Sequence, residues 1–472
     1  MKNTISQIRN NRPTPTKDAL AIRRIRVERL FGRYSYDLKV DASATDATKL
    51  LILYGDNGSG KTTLLQLIFN LLSHIDKQGH KSVLAKTKFK SLIVDLGHDA
   101  QVVAKRRGKR ILGTYTAYVK QRGKVTGRIE FRADRANDIM RPDWQTQDVY
   151  DRNVGRFLKG LENLRVALFF VTDDRQLLQN ARRARESDDE NEESEEGVAL
   201  RRRLRRSARL RGKYLDRAVS QAISVAVQWA REQVLSGSKQ GEADANTIYT
   251  GIVRRLANVS AVKRADKRAN FGLLITALRE QAARTAQFAK FGFPSALNIG
   301  ELIDSLIRAK RDLPTIYKIV EPFVDTIRAK LDALQEVQDS VSGFVETLNS
   351  FFKDKKVDFD LKEGVSIKTS DGTVLPPAAL SSGEKQLLLL FCNTLITKND
   401  QAIYLIDEPE ISLNIKWQRR LIQRLLISAE KRKVQFILAT HSFELFAPFR
   451  KNVLQLVDKH DARTKPATSK NY

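Results

Sequence analysis

The sequence has one cysteine, Cys392, in 472 residues. A single cysteine excludes an intrachain disulfide framework and a multi-cysteine zinc or iron–sulfur site, and it favours a reduced, cytoplasmic setting. Long apolar runs are also missing, since those at 64–72 and 387–391 are far shorter than the ~20 residues that span a bilayer. Residues 1–17 are polar and contain no apolar signal core. We therefore expect neither secretion nor a membrane partner.

Acidic residues are few relative to basic ones, because 83 lysines and arginines against 55 aspartates and glutamates give a net charge of +28. This excess predicts an acidic partner. Residues 201–217 contain nine lysines and arginines, and 262–268 form a second basic segment. Aromatic residues are sparse there, so the segments would contact phosphates of DNA, or a protein that mimics DNA by its carboxylates, without reading bases. A solvated charged helix face is the alternative.

Composition changes along the chain predict a divided domain with an insertion. Short strands separated by turn residues dominate before the insertion, and helical spacing dominates within it. Over 314–351 the apolar positions recur at steps of three and four, which predicts an amphipathic helix about 50 Å long with a kink at Pro322. The predicted parts are a polar tail (1–20), a first domain half (21–175), a helical insertion (176–355) with an acidic loop (186–196), a second half (356–458) and a second tail (459–472).

A glycine-rich loop with the P-loop pattern follows the apolar strand 50–54 and opens a helix predicted at 61–73. Its glycines let backbone N–H groups point at a phosphate, and the helix N-terminus adds partial positive charge. Lys61 would reach the β- and γ-phosphates, and Thr62 would offer its hydroxyl to Mg²⁺. A glycine-rich turn without a ligand is the alternative. The candidate nucleotide-binding residues are Gly55, Asn57, Gly58, Ser59, Gly60, Lys61, Thr62 and Thr63.

Two acidic residues, Asp407 and Glu408, end the apolar strand 402–406. Such a pair can hold a metal ion and orient a water molecule. Asp407 would bind Mg²⁺ directly or through water, and Glu408 would act on the attacking water. A strand that ends in a solvated acidic turn is the alternative.

Two further segments contain residues that could contact an anion such as a phosphate. Ser382 and Gly383 stand at the start of a predicted helix, where a hydroxyl and free N–H groups favour an anion, although an ordinary capped helix with Glu384 in its first turn fits too. The apolar strand 435–439 ends near His441, which we expect at the same sheet edge as the other loops. A lone histidine there is otherwise structural.

In this order the four segments resemble the Walker A, signature, Walker B and histidine-switch motifs of ABC-type ATPase heads, close to the RecF and SMC branch, over 21–175 and 355–458. The resemblance implies an α/β P-loop head with a mixed sheet, an antiparallel β-subdomain and a central helical insertion. It also implies ATP and Mg²⁺ as ligands and a head-to-head dimer. His441 would then sense the γ-phosphate, with Glu408 as the catalytic carboxylate. The residues implied to contact ATP in the partner copy are Ser382, Gly383, Glu384 and Lys385.

Two loops of that branch are less well defined here. For the Q-loop, Asp174, Arg175 and Gln176 are candidates, and Gln176 is the residue that we expect at the metal. The D-loop corresponds to 410–414, where Asn414 replaces a histidine that is frequent in the branch.

The insertion of about 180 residues is too short for the long coiled coils of chromosome-organising relatives. In this the chain resembles stand-alone ATPases of prokaryotic anti-phage defence, most of all the ATPase subunits of PARIS systems, with Septu and retron ATPases close. That resemblance implies a higher homo-oligomer that senses a phage protein and controls a separate effector nuclease. A RecF-type repair ATPase remains an alternative. A transporter's nucleotide-binding subunit is disfavoured by the insertion and by residues 408–413.

Overall fold

The computed structural model describes residues 21–40, 49–75, 79–139, 147–172, 177–179, 208–257, 267–293, 299–308, 313–396, 401–430 and 433–458. The chain divides into two compact units: unit 2 is Asp216–Ile396, and unit 1 comprises the residues on either side of it. The two predicted tails, the acidic loop 186–196 and residues 262–266 of the second basic segment lie outside the described residues. The predicted domain boundaries near 175 and 355 stay predictions.

Unit 1 contains two sheets. Its strands are β1 (Ile22–Leu30), β2 (Tyr34–Lys39), β3 (Leu50–Tyr54), β4 (Ser91–Leu96), β5 (Ala100–Lys105), β6 (Tyr115–Gln121), β7 (Lys124–Phe131), β8 (Val166–Val171), β9 (Leu177–Gln179), β13 (Gln401–Asp407), β14 (Val434–Thr440) and β15 (Val453–Gln455). Its helices are α1 (Lys61–Leu72), α2 (His80–Lys86), α3 (Gln147–Glu162), α9 (Ile415–Ser428) and α10 (Phe443–Phe446).

The first sheet is antiparallel, in the order β2-β1-β4-β5-β6-β7. Alternating residues of its strands are buried, as expected when one face packs on a core and the other meets water. Helix α3 packs against β7 at Gly127, where an added Cβ would stand 2.7 Å from the carbonyl oxygen of Arg156. Glycine therefore allows the helix backbone to approach the strand closely.

The second sheet has the order β15-β3-β14-β13-β8-β9, in which all neighbours are parallel except β8 and β9. Every residue of β14 is buried, and so is nearly every residue of β13. Continuous apolar strands are typical of parallel sheets with both faces covered. The expectation of buried strands at 50–54 and 402–406 is confirmed. A hydrophobic core joins the two sheets and α1.

Unit 2 is mainly helical. Its helices are α4 (Ala208–Ala257, most of which lies in this unit), α5 (Lys267–Ala289), α6 (Ile299–Arg308), α7 (Leu313–Phe351) and α8 (Ser382–Ile396), and its small sheet consists of β10 (Lys355–Asp360), β11 (Gly364–Thr369) and β12 (Val374–Leu375). The predicted long helix is confirmed as α7, which contains Pro322 within its span. At the edge of β10 the Asn349 side chain bonds both backbone groups of Val357, at 2.7 Å to the N–H and 2.9 Å to the carbonyl.

Among the described residues we find no helix with the length and apolar character needed to cross a membrane.

Candidate functional site

Three loops meet at one edge of the parallel sheet of unit 1. Strand β14 lies between β3 and β13, and its register pairs Thr440 with Tyr54 and Ala439 with Asp407. The loops that follow these strands therefore emerge side by side at the carboxyl edge, which is where ligands bind in open α/β sheets. The structure thus places the glycine-rich loop, the acidic pair and His441 together.

The glycine-rich loop curls around the side chain of Lys61. Gly58 and Gly60 have φ values of 84° and 89°, a region that glycine adopts without strain. The buried Lys61 Nζ donates to the carbonyl oxygens of Gly55 (2.7 Å) and Asp56 (3.1 Å). Because α1 begins at Lys61, its first N–H groups lack acceptors within the helix. The loop is therefore a ready anion site.

Residues of the hairpin β1–β2 contact this loop and restrict its conformation. The Tyr36 hydroxyl donates to the Ser59 carbonyl oxygen at 2.8 Å, and burial raises the pKa of Tyr36 to about 12, which keeps the phenol protonated. A Cβ on Gly60 would stand 2.9 Å from Leu30 Cδ2 and from Phe31 Cε2. Residues far from the motif in the sequence thus fix the conformation of the loop. No local sequence pattern indicates these contacts.

The acidic pair ends β13 in a sharp turn. Asp407 is 1% exposed, and Glu408 follows it with a φ of 44°, in the left-handed region that non-glycine residues rarely occupy. The Glu408 N–H donates to the Ala439 carbonyl oxygen at 2.8 Å, which holds the turn against the neighbouring strand. The Glu408 Oε1 lies 3.5 Å from Nδ1 of His441. Backbone strain of this kind clusters at functional sites.

A third carboxylate, that of Glu410, lies in the same place, although the acidic-pair motif assigns it no role of its own. It is 6% exposed. Its Oε1 accepts from the Thr440 hydroxyl (2.5 Å), from the His441 N–H (3.1 Å) and from the Ser442 N–H (3.3 Å). The same oxygen is 3.5 Å from His441 Nδ1. The sequence signal was available, since three acidic residues occur within four positions after an apolar strand.

The structure describes the predicted D-loop and the first turn of α1, but not the predicted Q-loop. Asn414 caps α9, with its side chain accepting from the Trp417 N–H at 3.0 Å, and this cap accounts for an asparagine in the predicted D-loop. Thr62 and Thr63 are half-buried in the first turn of α1. The three Q-loop candidates, Asp174, Arg175 and Gln176, lie outside the described residues.

The signature segment belongs to unit 2, where it forms a capping box at the start of α8. Ser381 and Glu384 bond each other's backbone N–H groups, at 3.4 and 2.8 Å. Ser382 is exposed, and Gly383 is buried. The capped helix that the sequence offered as an alternative is therefore present in the structure. In this capped helix the Ser382 side chain stays at the surface.

The two charged residues of the signature segment bind groups of their own unit. Glu384 forms an ion pair with Lys355 at 2.8 Å, and Lys385 Nζ lies 2.7 Å from both the Asp216 carboxylate and the Ala378 carbonyl oxygen. Burial would raise the pKa of Glu384, but the hydrogen bonds from Lys355 and Ser381 outweigh it and hold that pKa below the usual value. The predicted contact of Glu384 and Lys385 with a partner's nucleotide stays a prediction.

The residues at the sheet edge fit a nucleoside triphosphate with a divalent cation. A buried carboxylate, Asp407, ends the strand beside the loop, and the buried Ser59 hydroxyl has no hydrogen-bond partner in the described part of the chain. Lys61 and the loop N–H groups would hold phosphates, and Thr62 with Asp407 would hold Mg²⁺. An α/β sheet with this loop between β3 and α1 defines a fold of the P-loop ATPase class.

Sequence comparison agrees at the family level. Residues 228–447, slightly less than half of the chain, match the family model described as "AAA domain, putative AbiEii toxin, Type IV TA system". A segment of 112 residues is 30% identical to the DNA double-strand break repair Rad50 ATPase of Sulfurisphaera tokodaii. This segment makes up 23% of this chain and 13% of that protein. The chain is thus similar to AAA-type and Rad50-type ATPases, and that similarity supports ATP hydrolysis at the level of these families.

Solved structures to which the chain is similar include Smc head domains. One, from Pyrococcus furiosus, has an extended coiled coil and is bound to the C-terminal domain of ScpA; it has 14% identity and a TM-score of 0.35, and covers 94% of this chain and 98% of that one. Another, from Pyrococcus yayanosii, has 13% identity and a TM-score of 0.36, with 92% and 94% covered.

Proposed function

We propose that this protein is an ATP-driven switch that binds ATP at 55–63 and hydrolyses it with Glu408 when two copies close face to face. The observation that carries the proposal is the meeting of Lys61, the acidic pair and His441 at one sheet edge, built from three adjacent parallel strands. Backbone N–H groups and Lys61 bind the phosphates, Glu408 takes the proton of the attacking water, and His441 contacts the γ-phosphate. Bound Mg²⁺ supplies charge neutralisation at the phosphates.

The second copy completes the site in this proposal. Ser382 and Gly383 of that copy add a hydroxyl and N–H donors to the γ-phosphate, as the resemblance to ABC-type heads implies. The exposure of Ser382 at the start of α8 supports this role, because a helix N-terminus attracts anions. ATP then stabilises the dimer, and hydrolysis releases it.

The experiment that tests the switch is replacement of the catalytic carboxylate. Glu408→Gln should bind ATP, fail to hydrolyse it and accumulate as a closed dimer, because the amide cannot accept the proton of water. The measurement is molar mass by light scattering after size-exclusion chromatography, with and without ATP. The matched control is Lys61→Ala in the Glu408→Gln background, which should stay undimerised. A Glu408→Gln variant that is monomeric at saturating ATP would contradict the proposal.

We further propose that the switch is the sensor subunit of a prokaryotic anti-phage system and controls a separate effector, a nuclease, from a higher homo-oligomer. The resemblance to PARIS-type ATPases supports this, as does the toxin–antitoxin system named in the description of the matched family. An acidic phage protein that mimics DNA suits the net charge of +28. Purification together with the products of neighbouring genes tests it, and the absence of any toxic partner would contradict it.

DNA repair is the second candidate, favoured by the segment similar to a Rad50 ATPase. If it is correct, DNA alone should stimulate ATP hydrolysis, with a steep loss of binding between low and moderate salt because phosphate contacts release counterions. A lack of DNA binding at low salt would exclude it.

A further inference from the structure

The buried carboxylate of Glu410 contacts the histidine at the sheet edge yet has no part in the chemistry described above. Both belong to unit 1, and one carboxylate oxygen, Oε1, accepts from the Thr440 hydroxyl (2.5 Å) and from the N–H groups of His441 (3.1 Å) and Ser442 (3.3 Å). Each contact falls on the turn that carries His441 out of β14. A charged acceptor with several donors makes strong, geometrically specific hydrogen bonds.

The position of the imidazole follows from this turn. The Nδ1 atom of His441 lies 3.5 Å from Oε1 of Glu408 and 3.5 Å from Oε1 of Glu410, while 49% of the side chain remains exposed. One ring nitrogen thus faces two carboxylates, which leaves the other ring atoms toward the open side of the site. Because the 440–442 turn carries His441, a shift of this turn would move Nδ1 away from the Glu408 carboxylate.

We propose that Glu410 is the positioning residue of this site: its carboxylate fixes the 440–442 turn and so holds His441 beside Glu408. The proposal deepens the proposed function and rests on it for the catalytic effect. Glu410 does not touch the reacting atoms in this scheme. It acts through the backbone of His441 and through the hydroxyl of Thr440.

Three variants in the full chain separate positioning from charge. Glu410→Ala should lower kcat on the order of 10- to 100-fold with KM for ATP changed by less than about threefold, because misplacement of a catalytic group costs rate rather than ground-state binding. Glu410→Gln should recover most of kcat, since its amide oxygen can still accept from the same donors. Thr440→Val, a change of similar volume, should lower kcat in the same direction as Glu410→Ala. Glu444→Gln, an exposed carboxylate three residues beyond His441, is the matched control and should behave as the wild type.

Hydrogen exchange gives a readout that does not require activity. The amides of His441 and Ser442 should exchange at least about tenfold faster in Glu410→Ala than in wild type, and near the wild-type rate in Glu410→Gln. Unchanged exchange in the alanine variant would overturn the proposal whether or not the protein hydrolyses ATP. Faster exchange with an unchanged kcat would overturn it as well. A wild-type protein that neither binds nor hydrolyses ATP would instead refute the proposed function, and exchange would still decide whether Glu410 fixes the turn.

Discussion

At the scale of single residues, the least expected feature is a buried arginine whose hydrogen bonds, within the described part of the chain, go to backbone carbonyl oxygens. Arg106 is 1% exposed, and its guanidinium donates to the carbonyl oxygens of Phe89 (2.6 Å), Leu84 (2.7 Å) and Thr87 (3.2 Å). Its Cζ lies 4.0 Å from the centre of the Phe89 ring. Burial lowers the pKa of Arg106 to about 10, so the group stays charged at neutral pH. One side chain, placed just after β5, thus joins α2 to the segment that leads into β4.

We expect Arg106→Met to destabilise the protein by about 3 kcal/mol, because it leaves several buried carbonyl groups without donors. Arg106→Lys should recover only part of this, since an ammonium lacks the planar fork that reaches divergent acceptors. Urea denaturation followed by circular dichroism measures both.

The adjacent and exposed Arg107→Met is the control for loss of charge, with an expected change of no more than about 0.5 kcal/mol. Equal stability of Arg106→Met and Arg107→Met would show that the buried donors contribute nothing.

The positions of the site residues were predictable from the sequence where they depend on local spacing. The P-loop residues, the acidic pair and His441 each follow an apolar strand, so parallel pairing alone brings them to one edge. The supports of the site were not predictable. Tyr36 and Ser59 are 23 positions apart, and Glu410 and Thr440 are 30 apart. Such contacts depend on how strands pair, which no single segment encodes.

At the scale of elements, the junction between α1 and α2 is held by two buried polar residues. Lys81 donates to the carbonyl oxygens of Asn70 (2.8 Å) and Ser73 (2.9 Å), at the C-terminus of α1, where a cation is favoured. His80 Nδ1 lies 2.7 Å from Asn70 Oδ1. Because Asn70 Nδ2 donates to the Gln66 carbonyl oxygen at 2.7 Å, its Oδ1 must accept, so His80 carries the hydrogen on Nδ1.

This junction predicts a loss of stability in acid. Burial, reinforced by the charge of Lys81, lowers the pKa of His80 from 6.5 to about 4. Between these values the unfolded chain binds a proton that the folded chain does not, so stability is full above pH 6.5 and falls as the pH decreases toward 4. We expect His80 to account for a loss of about 2 kcal/mol between pH 7 and pH 5.

Urea denaturation at both pH values tests this, with His80→Gln as the comparison. The variant should be less stable at pH 7 but should show a smaller decrease on acidification. An identical decrease in both proteins would mean that other groups cause the acid sensitivity.

Helices and strands were predictable where the spacing of their apolar residues was clear. The steps of three and four over 314–351 predicted α7, and apolar runs predicted β3 and β13. Helix α3 and strand β5 were missed. In α3 the buried positions Val154, Phe157 and Leu161 have helical spacing, but charged residues between them lower the mean hydropathy of the segment. Strand β5 is buried at consecutive positions, so it shows no alternation.

At the scale of the whole molecule, the proposed sharing of sites between copies can be tested by mixing two inactive proteins. Lys61→Ala has an intact signature segment, and Ser382→Arg has an intact P-loop. A mixed dimer should contain one complete site, assembled from Lys61 of one copy and Ser382 of the other, so mixing should restore part of the wild-type ATPase rate. The measurement is phosphate release by each protein alone and by the mixture.

No recovery in the mixture, although both variants are folded and Ser382→Arg still binds ATP, would contradict shared sites. The control mixture combines Lys61→Ala with the double variant Lys61→Ala, Ser382→Arg, and neither of these proteins has an intact P-loop. Recovery of the ATPase rate in this control would therefore have another cause.

The overall organisation was predictable only in outline. Composition indicated a helical insertion in an α/β domain, and the structure has a helical unit, Asp216–Ile396. That unit also contains the hairpin β10–β11 and the signature segment, while the predicted domain boundaries near 175 and 355 stay predictions. These segments are joined to the unit by contacts such as those of Lys355 with Glu384 and of Asp216 with Lys385, whose partners are distant along the chain.

The side chain of Asn349 at the edge of β10 has a consequence for how this protein behaves at high concentration. Its amide occupies the N–H and the carbonyl of Val357, as a neighbouring strand would. An uncovered strand edge is a template on which another chain can add a strand and begin to aggregate. A single amide that imitates a strand therefore blocks that growth at the middle of β10, and it does so in a protein whose proposed activity requires many copies to gather.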